Sequence, residues 1–148
     1  MNKKYAFIIA LLVIGIASRF IPHYPNFTAI GSMALLGGAM LRKPLAALAL
    51  PLIALFVSDL VINNVMYPGA TFIVFYEGAI YIYAAVVLTV LLARLVNKLN
   101  VKNYLGLAII SSILFFLITN FGVWQTGVLY PKTMGGLFAC YAAAIPYA

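Results

Sequence analysis

Acidic side chains are almost missing from this sequence: Asp59 and Glu77 are the only two in 148 residues. Histidine, cysteine and tryptophan each occur once, as His23, Cys140 and Trp124. A single cysteine cannot form an intrachain disulfide, so the redox compartment is not legible from it. One histidine and two carboxylates are thin material for a metal cluster or for acid–base catalysis. The phosphate-binding G-x-x-x-x-G-K-[ST], the H-E-x-x-H and the G-x-S-x-G patterns are also absent. The chain is therefore expected to be no enzyme, with no catalytic residue, metal or cofactor. The remaining catalytic alternative is a membrane enzyme using Glu77 and His23 as acid and base.

Hydrocarbon takes the place of charge. Hydrophobic residues make up 66 % of the chain and charged ones 7 %, more apolar surface than a water-soluble domain of this length can hide. Several apolar runs approach or exceed the roughly 17 residues that a helix needs to cross a bilayer. Short alternating segments, which a barrel would need, are absent. The expected fold is all-α: a polytopic membrane helical bundle forming one transmembrane domain over residues 1–148. Five spans are clear, at about Lys4–Phe20, Thr28–Leu41, Pro44–Ile62, Thr71–Leu95 and Leu105–Trp124. The second is short for a full crossing. Pro44 suits a helix start and Pro51 a kink. A sixth apolar segment begins at Thr133 and ends at Ala148 without a basic flank, either short and kinked at Pro146 or truncated. The opening "MNKKYAFIIALLVIGIAS" has the layout of a signal peptide, but Arg19 follows at once and further spans come after, so it is expected to remain as the first helix.

The net charge of +7 is not a nucleic-acid signal, because the cations sit in short connections. Placing the N-terminus in the cytoplasm puts Lys3, Lys4, Arg42, Lys43, Arg94, Lys98 and Lys102 on the inner side, leaving Arg19 and Lys132 outside. The reverse orientation violates the positive-inside rule.

With that topology the polar groups converge on the outer half. Arg19 and His23 lie at the outer end of the first span and in the loop after it. Asp59 is about one turn from the outer end of the third span, and Glu77 about two turns into the fourth. Asn120, Trp124 and Gln125 lie at the outer end of the fifth, with Lys132 just beyond. Charges inside a bilayer cost roughly 2.5–3.5 kcal/mol each at its centre, and persist when paired or when they line a wet cavity. Two readings stand. Arg19–Asp59 and Lys132–Glu77, or the crossed pairs, are structural ion pairs; or the groups floor an outward-facing cavity for a small solute.

The segment "SRFIPHYPNFTAIGSMALLGGAML" bears on the same choice. Pro22 and Pro25 stop the first helix, and irregular backbone at this depth is tolerated where protein or a watery cavity satisfies it. His23, Tyr24 and Phe27 then form the wall or lid of a cavity, or an ordinary interfacial aromatic belt. Tyr76, Tyr81 and Tyr83 surround Glu77 in the fourth span, and Asn120 and Trp124 share a helix face. Such side chains suit a flat, partly polar ligand. Small-residue stripes, Ala6–Ala10, Ala34–Gly38 and Gly136–Cys140–Ala144, mark close helix contacts.

A small basic protein with its N-terminus inside, A-x-x-x-A on its first helix and an outward polar pocket resembles the substrate-binding S-component of energy-coupling-factor (ECF) vitamin transporters. The stretches "RFIPHYPNFTAIGSMALLGG", "FFLITNFGVW" and "YPKTMGGLFACYAAAIP" also resemble a family of uncharacterised bacterial integral membrane proteins with an S-component-like layout. The resemblance implies a multi-pass protein of the bacterial cytoplasmic (inner) membrane that captures a vitamin-like solute from outside. Its partners are then the lipid bilayer, the solute, and an ECF-type coupling protein with its ATPases, for which Ala6 and Ala10 match the docking motif. Arg19, His23, Tyr24, Phe27, Asp59, Glu77, Tyr81, Asn120, Trp124 and Lys132 are the expected substrate-binding residues, chosen by depth because they match no single vitamin's motif. The competing expectation is a non-transporting scaffold of the cell envelope, similar to MreD-like proteins.

Overall fold

A computed structural model describes residues 3–21, 29–96 and 100–147. Within them the chain forms six α-helices and no strand: α1 Lys3–Ser18, α2 Ala29–Met40, α3 Pro44–Val61, α4 Ala79–Arg94, α5 Val101–Thr126 and α6 Met134–Ala144. A π-helical turn, Ile62–Met66, prolongs α3, and a 3-10 turn, Ile145–Tyr147, follows α6.

Local chemistry sets several of these limits. Lys43 is held extended by the proline after it, and Pro44 opens α3, where its missing N–H is no loss. Asn100 and Thr133 cap α5 and α6: the Asn100 side chain accepts from the Asn103 amide at 2.8 Å, and Thr133 Oγ1 from the Gly136 amide at 3.2 Å. Pro51 lies fully buried inside α3, where it removes one helical hydrogen bond.

α2 sits at the centre, packed on α3 and α4, with α1 against α3. The core joins Ile30, Met33 and Ala34 of α2 to Leu50, Ala54 and Leu55 of α3 and to Val86 and Val90 of α4. Small residues set the spacing. A Cβ on Gly38 would lie 2.6 Å from the Val90 carbonyl oxygen and 2.7 Å from the Ala93 Cβ, so the Ala34–Gly38 stripe is the α2–α4 contact. α5 packs on α4, and α6 on α5. Tyr141 donates to the Leu117 carbonyl at 2.8 Å, and the Cys140 thiol to that of Asn120 at 3.5 Å. Cys140 is thus a buried packing residue of the α5–α6 contact.

Two stretches, Pro44–Met66 and Val101–Thr126, are long and apolar enough to cross a membrane by length and composition. The other helices are shorter. α4 departs from expectation at its start: the helix begins at Ala79, not at Thr71. Asn64 explains the difference. Its amide pairs with both backbone groups of Ile73, donating to the carbonyl at 2.8 Å and accepting from the N–H at 2.7 Å. That pairing holds the preceding residues as a loop, and Gly78, at φ 85°, turns the chain into α4.

Candidate functional site

The two carboxylates occupy different environments. Asp59, near the end of α3, is 2 % exposed. Its Oδ1 lies 2.5 Å from Nη1 of Arg19, which follows α1, and its Oδ2 accepts from the Tyr83 hydroxyl of α4 at 3.0 Å. The same guanidinium nitrogen donates to Ser58 Oγ at 2.7 Å and to the Leu55 carbonyl at 3.3 Å. Three helices are therefore tied at one point, and the buried charge is matched by an ion pair and hydrogen bonds. Phe75 stands edge-on to the Tyr83 ring at 5.8 Å.

Glu77 lies instead in the turn before α4, exposed to solvent. It forms one wall of a cavity of about 540 Å³ between the start of α4, the second half of α5 and the end of α6. Such volumes suit small molecules, whose sites run to about 300–1,000 Å³. Tyr76 and Ile82 share its wall, α5 contributes Phe115, Thr119, Asn120 and Thr126, and Ala144 closes the α6 side. Tyr76 borders both regions. Its phenol is pushed up to about 12, first by burial and then by the negative charge of Asp59, with Arg19 pulling the other way.

The polar groups of α5 are oriented by their own helix. Thr119 Oγ1 donates to the Phe115 carbonyl at 2.8 Å, Asn120 Nδ2 to that of Phe116 at 2.8 Å, and Thr126 Oγ1 to that of Gly122 at 2.9 Å.

The expected site residues therefore divide. Arg19 and Asp59 form the anticipated ion pair, while Glu77 and Asn120 line the cavity. Glu77 stands two residues before α4 and not two turns into it, because the loop held by Asn64 takes up the turns assigned to the helix. The Lys132–Glu77 pair, in either pairing, does not form. Lys132 Nζ donates to the carbonyls of Trp124 and Gly127 at the end of α5 and lies 5.8 Å from the Trp124 ring centroid. Trp124 in turn donates from Nε1 to the Pro131 carbonyl at 2.9 Å and packs on Phe121. Both residues pin the loop after α5. Tyr81 packs its ring against Phe121 and Gly122, joining α4 to α5. His23, Tyr24 and Phe27 lie outside the described residues. Ala6 lies in α1 with its side chain outside them, and Ala10 is exposed on that helix.

Ser58, Thr119 and Thr126 were not among the expected site residues, and Tyr76 was named only with the aromatics around Glu77. Ser58 adjoins Asp59 in an apolar helix, a readable sign of a polar cluster. The threonines carry no signal in sequence, because their role depends on which face of α5 meets α4. Among the described residues no group of three or more His, Cys, Asp or Glu side chains could hold a metal ion.

Among the described residues, fold and site together define a helical protein with two helices long and apolar enough to cross a membrane and a solute-sized cavity beside a buried ion pair. Over residues 1–148 the sequence matches the family of unknown function DUF6580, and the chain belongs to that family. No curated protein and no solved structure matches it.

Proposed function

We propose that this is a multi-pass protein of the bacterial cytoplasmic membrane, N-terminus inside, that captures a small vitamin-like solute from the outer face as an S-component-like subunit. The observation that carries the reading is the cavity between α4, α5 and α6. With the basic residues arranged by the positive-inside rule, its mouth at Glu77 and Thr126 faces outward. Its floor at Phe115 lies eleven residues further down α5, about 16 Å deeper at 1.5 Å per residue. The Arg19–Asp59 cluster lies on the same side and supports the cavity without lining it. Five spans with a short sixth follow from the apolar runs, and the A-x-x-x-A face of α1, with Ala10 exposed, suits an ECF-type coupling protein. The alternative, an MreD-like scaffold acting through helix faces, draws on the exposed apolar side of α5, whose most apolar window is only 17 % buried.

Mass spectrometry of small molecules carried through purification in mild detergent tests the reading, with Thr119→Trp filling the cavity. A stoichiometric compound in the wild type, lost from an equally stable Thr119→Trp protein, is the expected result. An empty wild type, or a compound retained by the filled variant, favours the scaffold.

A further inference from the structure

The cavity presents hydrogen-bond acceptors. A threonine hydroxyl has one donor and two acceptor sites. In Thr119 and Thr126 the proton is committed to the carbonyl one turn back in α5, which leaves their oxygen lone pairs as what these two lining residues offer a ligand. Asn120 directs one amide N–H back to its own helix, which leaves its carbonyl oxygen as an acceptor beside the second N–H. Glu77 accepts only.

The local charge has the same sense. Glu77 is the one charged residue in the cavity wall, and it has no ion-pair or hydrogen-bond partner among the described residues. The cations of this side are engaged elsewhere: Arg19 is neutralised by Asp59, and Lys132 is held by the final carbonyls of α5 and the Trp124 face. Glu77 itself answers the positive end of α4. The same cavity is lined by Phe115, Tyr76 and Ile82, apolar and aromatic surface against which a cation with a hydrocarbon body packs well.

We infer that the solute taken by this cavity is a small organic cation bearing N–H donors, an ammonium or amidinium group on an aromatic or aliphatic body, whose charged end meets Glu77. This rests on the capture reading and adds the ligand's charge and donor character to it. An anionic solute would bring a second negative charge to Glu77 and leave the threonine and asparagine oxygens unmatched, which weakens its binding.

Three probes of similar shape separate the possibilities: 2-phenylethylamine, 2-phenylethanol and 3-phenylpropionate, measured by equilibrium dialysis against the full chain in zwitterionic nanodiscs at neutral pH. The amine is expected to bind at least about tenfold more tightly than the other two, as one charge-assisted hydrogen bond allows. Glu77→Gln should erase that preference and leave weak binding of the alcohol, while Thr119→Trp should remove binding of all three. Equal affinities that Thr119→Trp abolishes would overturn the charge assignment and leave the cavity as a capture site. A preference that survives Glu77→Gln would overturn Glu77 as its source. No binding of any probe to the wild type would overturn the inference, and the co-purified compound then decides on the capture reading separately.

Discussion

Asp59 and Glu77, the two acidic residues of the chain, show how differently one kind of group is used in regions that Tyr76 joins. Asp59 is sealed between α1, α3 and α4, with Arg19 on one oxygen and Tyr83 on the other. Glu77 is open to solvent on a turn, at the wall of a cavity, without a partner among the described residues. A carboxylate satisfied on both oxygens holds helices together and has nothing left to offer a ligand. One with free lone pairs contributes little to the fold and remains available. The contrast teaches that exposure and pairing, more than depth along a helix, separate an acid committed to the fold from one left available.

The largest effect expected is also the sharpest test of that contrast. Asp59→Ala leaves the Arg19 guanidinium beside α3 without its counter-charge and Tyr83 without its acceptor. Loss of one partner from a buried pair costs about 3 kcal/mol, and the midpoint of reversible unfolding in mixed micelles should fall accordingly. Glu77→Gln in the same assay should change stability by less than about 0.5 kcal/mol. Equal losses would break the comparison and make Glu77 a structural residue too.

A smaller effect probes the wall that separates the two regions. A Cβ on Gly122 would lie 2.6 Å from Cγ of Tyr81, near the root of a ring that cannot swing clear. Gly122→Ala should cost about 1–2 kcal/mol through overpacking, read as a lowered unfolding midpoint, and should displace α5 from α4 at the cavity. No loss of stability would mean that the cavity edge yields freely.

The smallest effect is confined to alkaline pH. The Tyr76 phenol, raised from its ordinary value near 10 to about 12, is held neutral by the fold. Its contribution is present below pH 10 and is lost between pH 10 and 12, as the unfolded chain ionises first. Unfolding midpoints measured across that window should fall less steeply for Tyr76→Phe than for the wild type. Identical slopes would detach Tyr76 from the Asp59 cluster.

The sequence by itself determined the elements that depend on local rules. An apolar run has to form a helix to satisfy its backbone, and Pro44 and Thr133 mark starts because proline geometry and side-chain caps act within four residues, whereas the Asn100 cap lies ahead of Leu105, the expected start of the fifth span. The small pair Ala34 and Gly38 was legible as a contact, since only small residues admit so close a backbone. With one arginine and one aspartate near the same helix ends, the Arg19–Asp59 pair was legible as one of two pairings. Only the tertiary structure decided the rest. The pairing was selected by the rotation of α1 against α3, and Lys132 turned back to its own helix end because the carbonyls there lack partners. The start of α4 was delayed by a contact from Asn64 to Ile73, nine residues on and invisible to any helical period. That contact moved Glu77 out of a helix and onto a turn. The cavity exists because three helix ends meet around oxygens whose direction is set by hydrogen bonds within α5, and no reading of composition or periodicity carries such directions.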